Sequence, residues 1–127
     1  MGNSETISAE IRDTVQIYFD GLYRGNVEML RLAFHPTAMI TGYGSDGNLN
    51  IMSLTDFLSF VDRIPSPESE GIEFDMEILS MDTTTTVAAV KVRDLYLNRN
   101  FTDYLHLIET KERWQIIGKM FHSEPLE

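Results

Sequence analysis

The chain has 127 residues, 43% of them apolar and 24% charged, a globular balance that predicts one folded domain over residues 1–127 with one core. Twenty acidic residues against ten basic ones leave a formal charge of −10, which argues against nucleic acid and anionic membrane as partners, since both reward a basic surface. There is no cysteine, so disulfides, thiolate catalysis and cysteine-ligated zinc are excluded.

The opening MGNSETISAE has no apolar run behind a basic segment, and no stretch reaches membrane-spanning length, so a cytoplasmic protein is the expectation. Met1-Gly2 with Thr6 matches an acylation pattern loosely. Ile7, Ile11, Val15, Tyr18 and Leu22 recur every three or four residues and predict an amphipathic helix over 7–23, with Gly25 as its stop. Asn26 reads as the N-cap of a short second helix with Val27, Leu30 and Phe34 inward, ended by Pro36. Residues 38–43 predict a short strand, and GSDGN after them a turn. Ser53 with Asp56 resembles a capping box before the helical run DFLSFVDRI, and PSPESEG is a loop. From Ile72 the period becomes two: Ile72, Phe74, Met76 and Ile78 alternate with acids, as in a strand wet on one face. Strands follow at 86–97, 101–108 and 113–122. Helices first and consecutive strands later predict an α+β fold, an antiparallel sheet with helices on one face.

One residue in FTDYLHLI (101–108) breaks its own pattern. Phe101, Leu105 and Leu107 share a strand face, and Asp103 sits among them. A carboxylate in an apolar row costs energy unless it is paired or wet. A two- or four-residue turn near Lys111-Glu112 places Leu107 opposite Ile116, Asp103 opposite Met120 and Phe101 opposite His122. Asp103 and His122 are then diagonal neighbours on the inner face, and Asp103 is either a general acid–base group or a satisfied acceptor in a cavity wall. An odd loop length flips one strand and turns Asp103 toward Lys119 instead, as a structural ion pair.

Other candidates are fewer. His35, in FHP, stands where the second helix meets the first strand, either as a polar anchor or closing the helix. Tyr18 lies on the apolar helical stripe, Tyr43 at the glycine-rich turn, and Asp94 and Tyr96 on one strand face with Val90 and Val92. A metal site from His35, His122 and Asp103 requires all three to converge, and no local spacing matches a metal motif. There is no G-x-S-x-G and no phosphate-cradling glycine loop.

TVQIYFDGLYRGNVEMLRLAFHPTAMITG (14–42), DYL (103–105) and RWQIIGKMFH (113–122) resemble the nuclear transport factor 2-like superfamily, and within it the putative lumazine-binding branch, a relative of the SnoaL-like and ketosteroid isomerase-like groups. The resemblance implies a cystatin-like fold, a curved antiparallel sheet forming a cone around the N-terminal helices. It implies a pocket for a small apolar or aromatic ligand and no cofactor. Homodimers through the outer sheet face are implied as well, here through Tyr104, Ile108, Ile117 and Phe121. If the protein is an enzyme, the implied chemistry is proton transfer, isomerisation or dehydration. Asp103 is then base or acid, His122 orients it, and His35, Tyr18, Tyr43 and Tyr96 bind ligand. The alternative is a non-catalytic dimeric protein-interaction module.

Overall fold

The computed structural model describes residues 3–126, so Met1-Gly2 of the acylation pattern lie outside the described residues. Each helix starts on a side chain that accepts one of its orphan N–H groups. Asn3 accepts from Thr6 ahead of α1 (Ser4–Arg24), Asn26 from Met29 ahead of α2 (Val27–Ala33), and Ser53 from Asp56 ahead of α3 (Leu54–Arg63). Gly25 closes α1 in the left-handed region at φ 64°, donating its N–H to Gly21 and Leu22. Among the described residues no helix is long and apolar enough to cross a membrane.

The six strands are β1 (Phe34–Tyr43), β2 (Leu49–Ser53), β3 (Met76–Thr84), β4 (Val87–Tyr96), β5 (Arg99–Glu109) and β6 (Trp114–Pro125). They form one curved sheet in the order β2-β1-β6-β5-β4-β3. β1 runs parallel to β6, and the other pairs are antiparallel, so the sheet is mixed rather than wholly antiparallel. The long crossover through α3 and four strands is what lets β1 and β6 pair in the same direction. Two boundaries differ from the sequence pattern. β1 opens at Phe34, because the chain is extended through the residues preceding and following Pro36. β3 opens only at Met76, because Ile72 and Phe74 cover α1: Tyr23 donates its hydroxyl to the Ile72 carbonyl at 2.6 Å, and Phe74 meets the Phe19 and Tyr23 rings edge-on. β2 has no sequence counterpart; its five residues sit between a glycine turn and a helix cap.

One extra residue in β6 decides which side chains reach the interior. The β5–β6 turn has the expected parity, with Glu109 opposite Trp114 and Leu107 opposite Ile116. Then Ile117 is skipped, and pairing resumes at His106 opposite Gly118. This β-bulge puts every later β6 side chain on the face opposite to the one a regular ladder gives. Lys119 and Phe121 turn inward, opposite Leu105 and Asp103, while Met120 and His122 turn outward. The expected inner pairing of Asp103 with His122 is therefore corrected, and so is the placement of Phe121 on the outer face. Asp103 shares its face with Lys119, through a bulge rather than through an odd loop.

The helices pack on the inner face, where Ile11, Val15, Tyr18 and Leu22 of α1 and Phe57, Leu58 and Val61 of α3 meet Ile40, Val90, Val92, Leu105, Leu107 and Ile116. Gly42 of β1 lies directly opposite Phe121 across the parallel ladder. A Cβ there would collide with the Phe121 carbonyl oxygen and stand 2.7 Å from its ring. Gly42→Ala should therefore lower unfolding stability by about 1–3 kcal/mol, the usual cost of overpacking. Urea titration checks this, and an unchanged midpoint would mean that Phe121 does not lean over Gly42.

Candidate functional site

The period-two alternation of β4 and β5 carries two acids into the core. Val92 pairs with Asp103 and Asp94 with Phe101, so the two carboxyls are diagonal neighbours on the inner face. Both are sealed from solvent, Asp103 at 0% and Asp94 at 1% exposure. Tyr18, projecting from α1, donates its hydroxyl to Asp103 Oδ2 at 2.7 Å. Asp103 Oδ1 and Asp94 Oδ2 find no donor among the described residues. Desolvation, and after it the charge of Asp103 and a hydrogen bond to it, hold the Asp94 carboxyl well above the usual carboxylate range. Burial therefore favours the protonated form of Asp94, and a proton there would supply the donor that Asp103 Oδ1 lacks. The Tyr18 hydroxyl is raised by burial first and by Asp103 second, so it stays a neutral donor. Tyr96, two residues from Asp94 on the same face, is raised likewise by burial and by Asp94.

Beside this network a pocket of about 430 Å³ opens between the end of the sheet, α3 and the β1–β2 turn. Its wall is aromatic, from Phe57, Phe60, Tyr96, Phe101 and Phe121, with Ile40 and Met52. Lys119 lies in its floor, only 6% exposed, with its ammonium 4.8 Å from the centre of the Phe57 ring, 5.1 Å from Tyr18 and 5.8 Å from Phe121. Neither carboxyl lines the pocket. Their neighbours on the sheet face do: Phe101 and Phe121 flank Asp103, and Tyr96 and Phe101 flank Asp94. The network thus lies next to the pocket on the same sheet face, behind its lining side chains.

The sequence candidates separate accordingly. Asp103, Tyr18 and Asp94 meet in the buried network, Tyr96 joins the wall, and Tyr43 stands exposed at the rim. His122 is outside, 70% exposed and 3.7 Å from Glu124. His35 closes a local turn on β1, its Nδ1 2.8 Å from Thr37 Oγ1 and accepting from the Thr37 N–H. His35, His122 and Asp103 do not converge. The residues that the sequence did not assign are Lys119, Arg99 and the α3 rings. Gly118 inside a strand pattern was the available signal for the bulge that turns Lys119 inward.

The family model described as putative lumazine-binding matches residues 6–122. An aldolase, FrzH, from a Cladobotryum species is 30% identical over 112 residues, covering 88% of this chain and 87% of that one. An NTF2-like protein of unknown function from Shewanella baltica matches 99% of this chain and 100% of its own, at TM-score 0.85 and 22% identity. Another, from Silicibacter pomeroyi, matches 98% and 100% at TM-score 0.87 and 22% identity. A domain with a cystatin-like fold from Nostoc punctiforme matches 98% and 81% at TM-score 0.70 and 15% identity. These structural likenesses show the fold.

Two outcomes follow from the buried network. Tyr18→Phe removes the donor from a sealed carboxylate oxygen and should lower stability by about 1–3 kcal/mol in urea unfolding. Asp94 binds its proton more tightly in the native state than in the unfolded chain, where its value is about 3.9. Its contribution is full below that value and is lost as pH rises through the raised native one. Asp94→Asn, which keeps a donor toward Asp103, should flatten the fall of stability with pH above about 4. Equal slopes for the two proteins would mean that Asp94 holds no extra proton.

Proposed function

Because the chain belongs to the putative lumazine-binding family, of nuclear transport factor 2-like fold, we propose that its pocket binds a small apolar or aromatic carbonyl compound and enolises it without a cofactor. The observation that carries this reading is the aromatic pocket with an ammonium in its floor and two solvent-sealed carboxyls beside it on the sheet. Removing a proton next to a carbonyl requires a base, and positive charge near the oxygen that becomes an enolate. Isomerisation, dehydration and aldol addition all pass through that species, and the relative FrzH is named an aldolase. In this reading Lys119 faces the carbonyl oxygen. Asp103 reaches the proton once the Phe121 ring that flanks it turns aside, Tyr18 positions Asp103, and Tyr96 and Tyr43 flank the ligand. His122 has no part in it, being on the outer face.

The test follows deuterium exchange at the α-carbon of a panel of aromatic ketones by NMR, for ketones that raise the melting temperature of the protein. Asp103→Asn should slow catalysed exchange by about 10²–10⁴-fold, the usual worth of a general base. Thermal stabilisation by the ketone should persist. If wild type does not accelerate exchange for any ketone it binds, the chemistry fails and a binding domain remains.

A second reading concerns assembly. Ile51, Thr41, Met120 and Tyr104 form one cross-strand row on the outer face, and Ile51, Met120 and Tyr104 are 62%, 56% and 49% exposed. An apolar row of this kind favours a homodimer through the sheet, with Met120 in the place expected for Phe121. Met120→Glu combined with Tyr104→Glu should yield monomers in light scattering, and an unchanged mass would remove this face from the interface.

A further inference from the structure

We propose that the pocket selects a monoanionic aromatic ligand, its carboxylate held by Arg99 at the mouth and its neutral carbonyl oxygen by Lys119 at the floor. The inference rests on the reading that this pocket binds a small ligand, and it names the chemical class.

In a chain with twice as many acids as bases, two of the ten lysines and arginines face this pocket. Arg99 arrives there through the tight turn between β4 and β5. Leu97 and Asn98 take positive φ at 54° and 58°, which pairs Tyr96 with Arg99 on the inner face. Among the described residues neither Arg99 nor Lys119 has a carboxylate within salt-bridge distance; the ion pairs there belong to Arg31, Arg93 and His122. Arg99 makes its hydrogen bonds to neutral acceptors. Its Nε donates to Ser123 Oγ at 2.9 Å and its Nη2 to the Ser123 carbonyl at 3.3 Å. Those bonds fix the plane of the guanidinium and leave donors free for a carboxylate. Asp46 is the one acid in the lining, and it is committed elsewhere, accepting from the Asn48 N–H at 2.9 Å and from Asn48 Nδ2 at 3.1 Å.

The two cations have different counter-charges. Asp94 and Asp103 are buried near Lys119 on the inner sheet face, and the Lys119 charge acts on the Asp94 carboxyl, so Lys119 has acidic neighbours. The Lys119 N–H groups nonetheless face rings and pocket, with no oxygen acceptor among the described residues. They can serve a neutral oxygen. Arg99 has no ion-pair partner among the described residues, and its positive charge stands at the mouth. Arg99 is tied to Ser123, four residues beyond Lys119 on the same strand face, which separates the two Cα positions along β6 by about 13 Å at ~3.3 Å per residue. Aromatic side chains occupy the wall between them. A ring bearing a carbonyl on one side and a carboxylate on the other matches this order of groups.

Isothermal titration calorimetry with acid–amide pairs tests the charge requirement: benzoylpropionate against its primary amide, and naphthoate against naphthamide. In wild type each acid should bind at least about tenfold more tightly than its amide, as for a charge-assisted pair. Arg99→Gln should bring the two within about threefold, and Arg99→Lys should restore part of the preference. Lys119→Met should weaken benzoylpropionate and its amide alike and leave their ratio unchanged. Amides that bind as tightly as the acids would overturn the inference while leaving the binding reading intact. So would a preference that survives Arg99→Gln. Failure of every acid and every amide to bind wild type would overturn both.

Discussion

The interior of this protein depends on one surplus residue in its last strand. Without the bulge at Ile117, the ladder set by the β5–β6 turn would carry Met120 and His122 inward and Lys119 and Phe121 outward. With it, the strand delivers a cation and a ring to the inner face at the level of Asp103. Gly118 follows the bulge, where no side chain has to be accommodated on the outer face. The neighbouring parallel strand is adapted to the result. Gly42 lies opposite Phe121 and leaves the space that its ring and carbonyl fill. Pocket wall, pocket floor and carboxyl environment therefore share a single structural cause.

Once Lys119 is inside, the electrostatics are constrained. Two sealed carboxyls, one ammonium and two phenols cannot all adopt their solution charge states in a medium that solvates ions poorly. The arrangement answers this with a raised Asp94 carboxyl, hydroxyl donation from Tyr18 and three aromatic faces around the ammonium. Each element contributes a part. The α1 stripe brings Tyr18, β4 brings Asp94, β5 brings Asp103, β6 brings Lys119, and α3 brings Phe57. The network thereby ties the helical layer to the centre of the sheet.

Much of this frame was legible in the sequence because it rests on local rules. Caps at Asn26 and Ser53, the stop at Gly25, the α1 stripe and the alternation of β4 and β5 are each decided within a few residues. Asp103 stood out by the same logic, as a carboxylate in an apolar row. What was not legible depends on register across the chain. The inner or outer fate of residues 119–122 turns on a skipped pairing at Ile117, and a period-two pattern carries no count of skipped residues. The parallel β1–β6 pairing and the short β2 are likewise set by tertiary closure, since LNIMS is too brief to declare a strand on its own. The same limit explains why Asp103 was found and Lys119, its neighbour in the folded sheet, was not assigned to the pocket.

The position of the network bears on what it is for. Replacing buried ionic groups by well-packed apolar ones is often neutral or stabilising, so a core with stability as its sole requirement has a simpler solution than paired carboxyls and a lysine. A core cluster of that kind would also have no reason to lie beneath the pocket floor. Here the side chains that flank the carboxyls on the sheet are the ones that line the cavity, and the ammonium above them opens into it. Burial raises the Asp94 carboxyl well above its ordinary value beside a concave, aromatic site, the kind of place where functional carboxyls are found. Low dielectric would strengthen each polar interaction made by a ligand of the proposed kind. The desolvation that makes this core costly to fold is therefore also what would strengthen the hold of its floor on a carbonyl, as the proposed function requires.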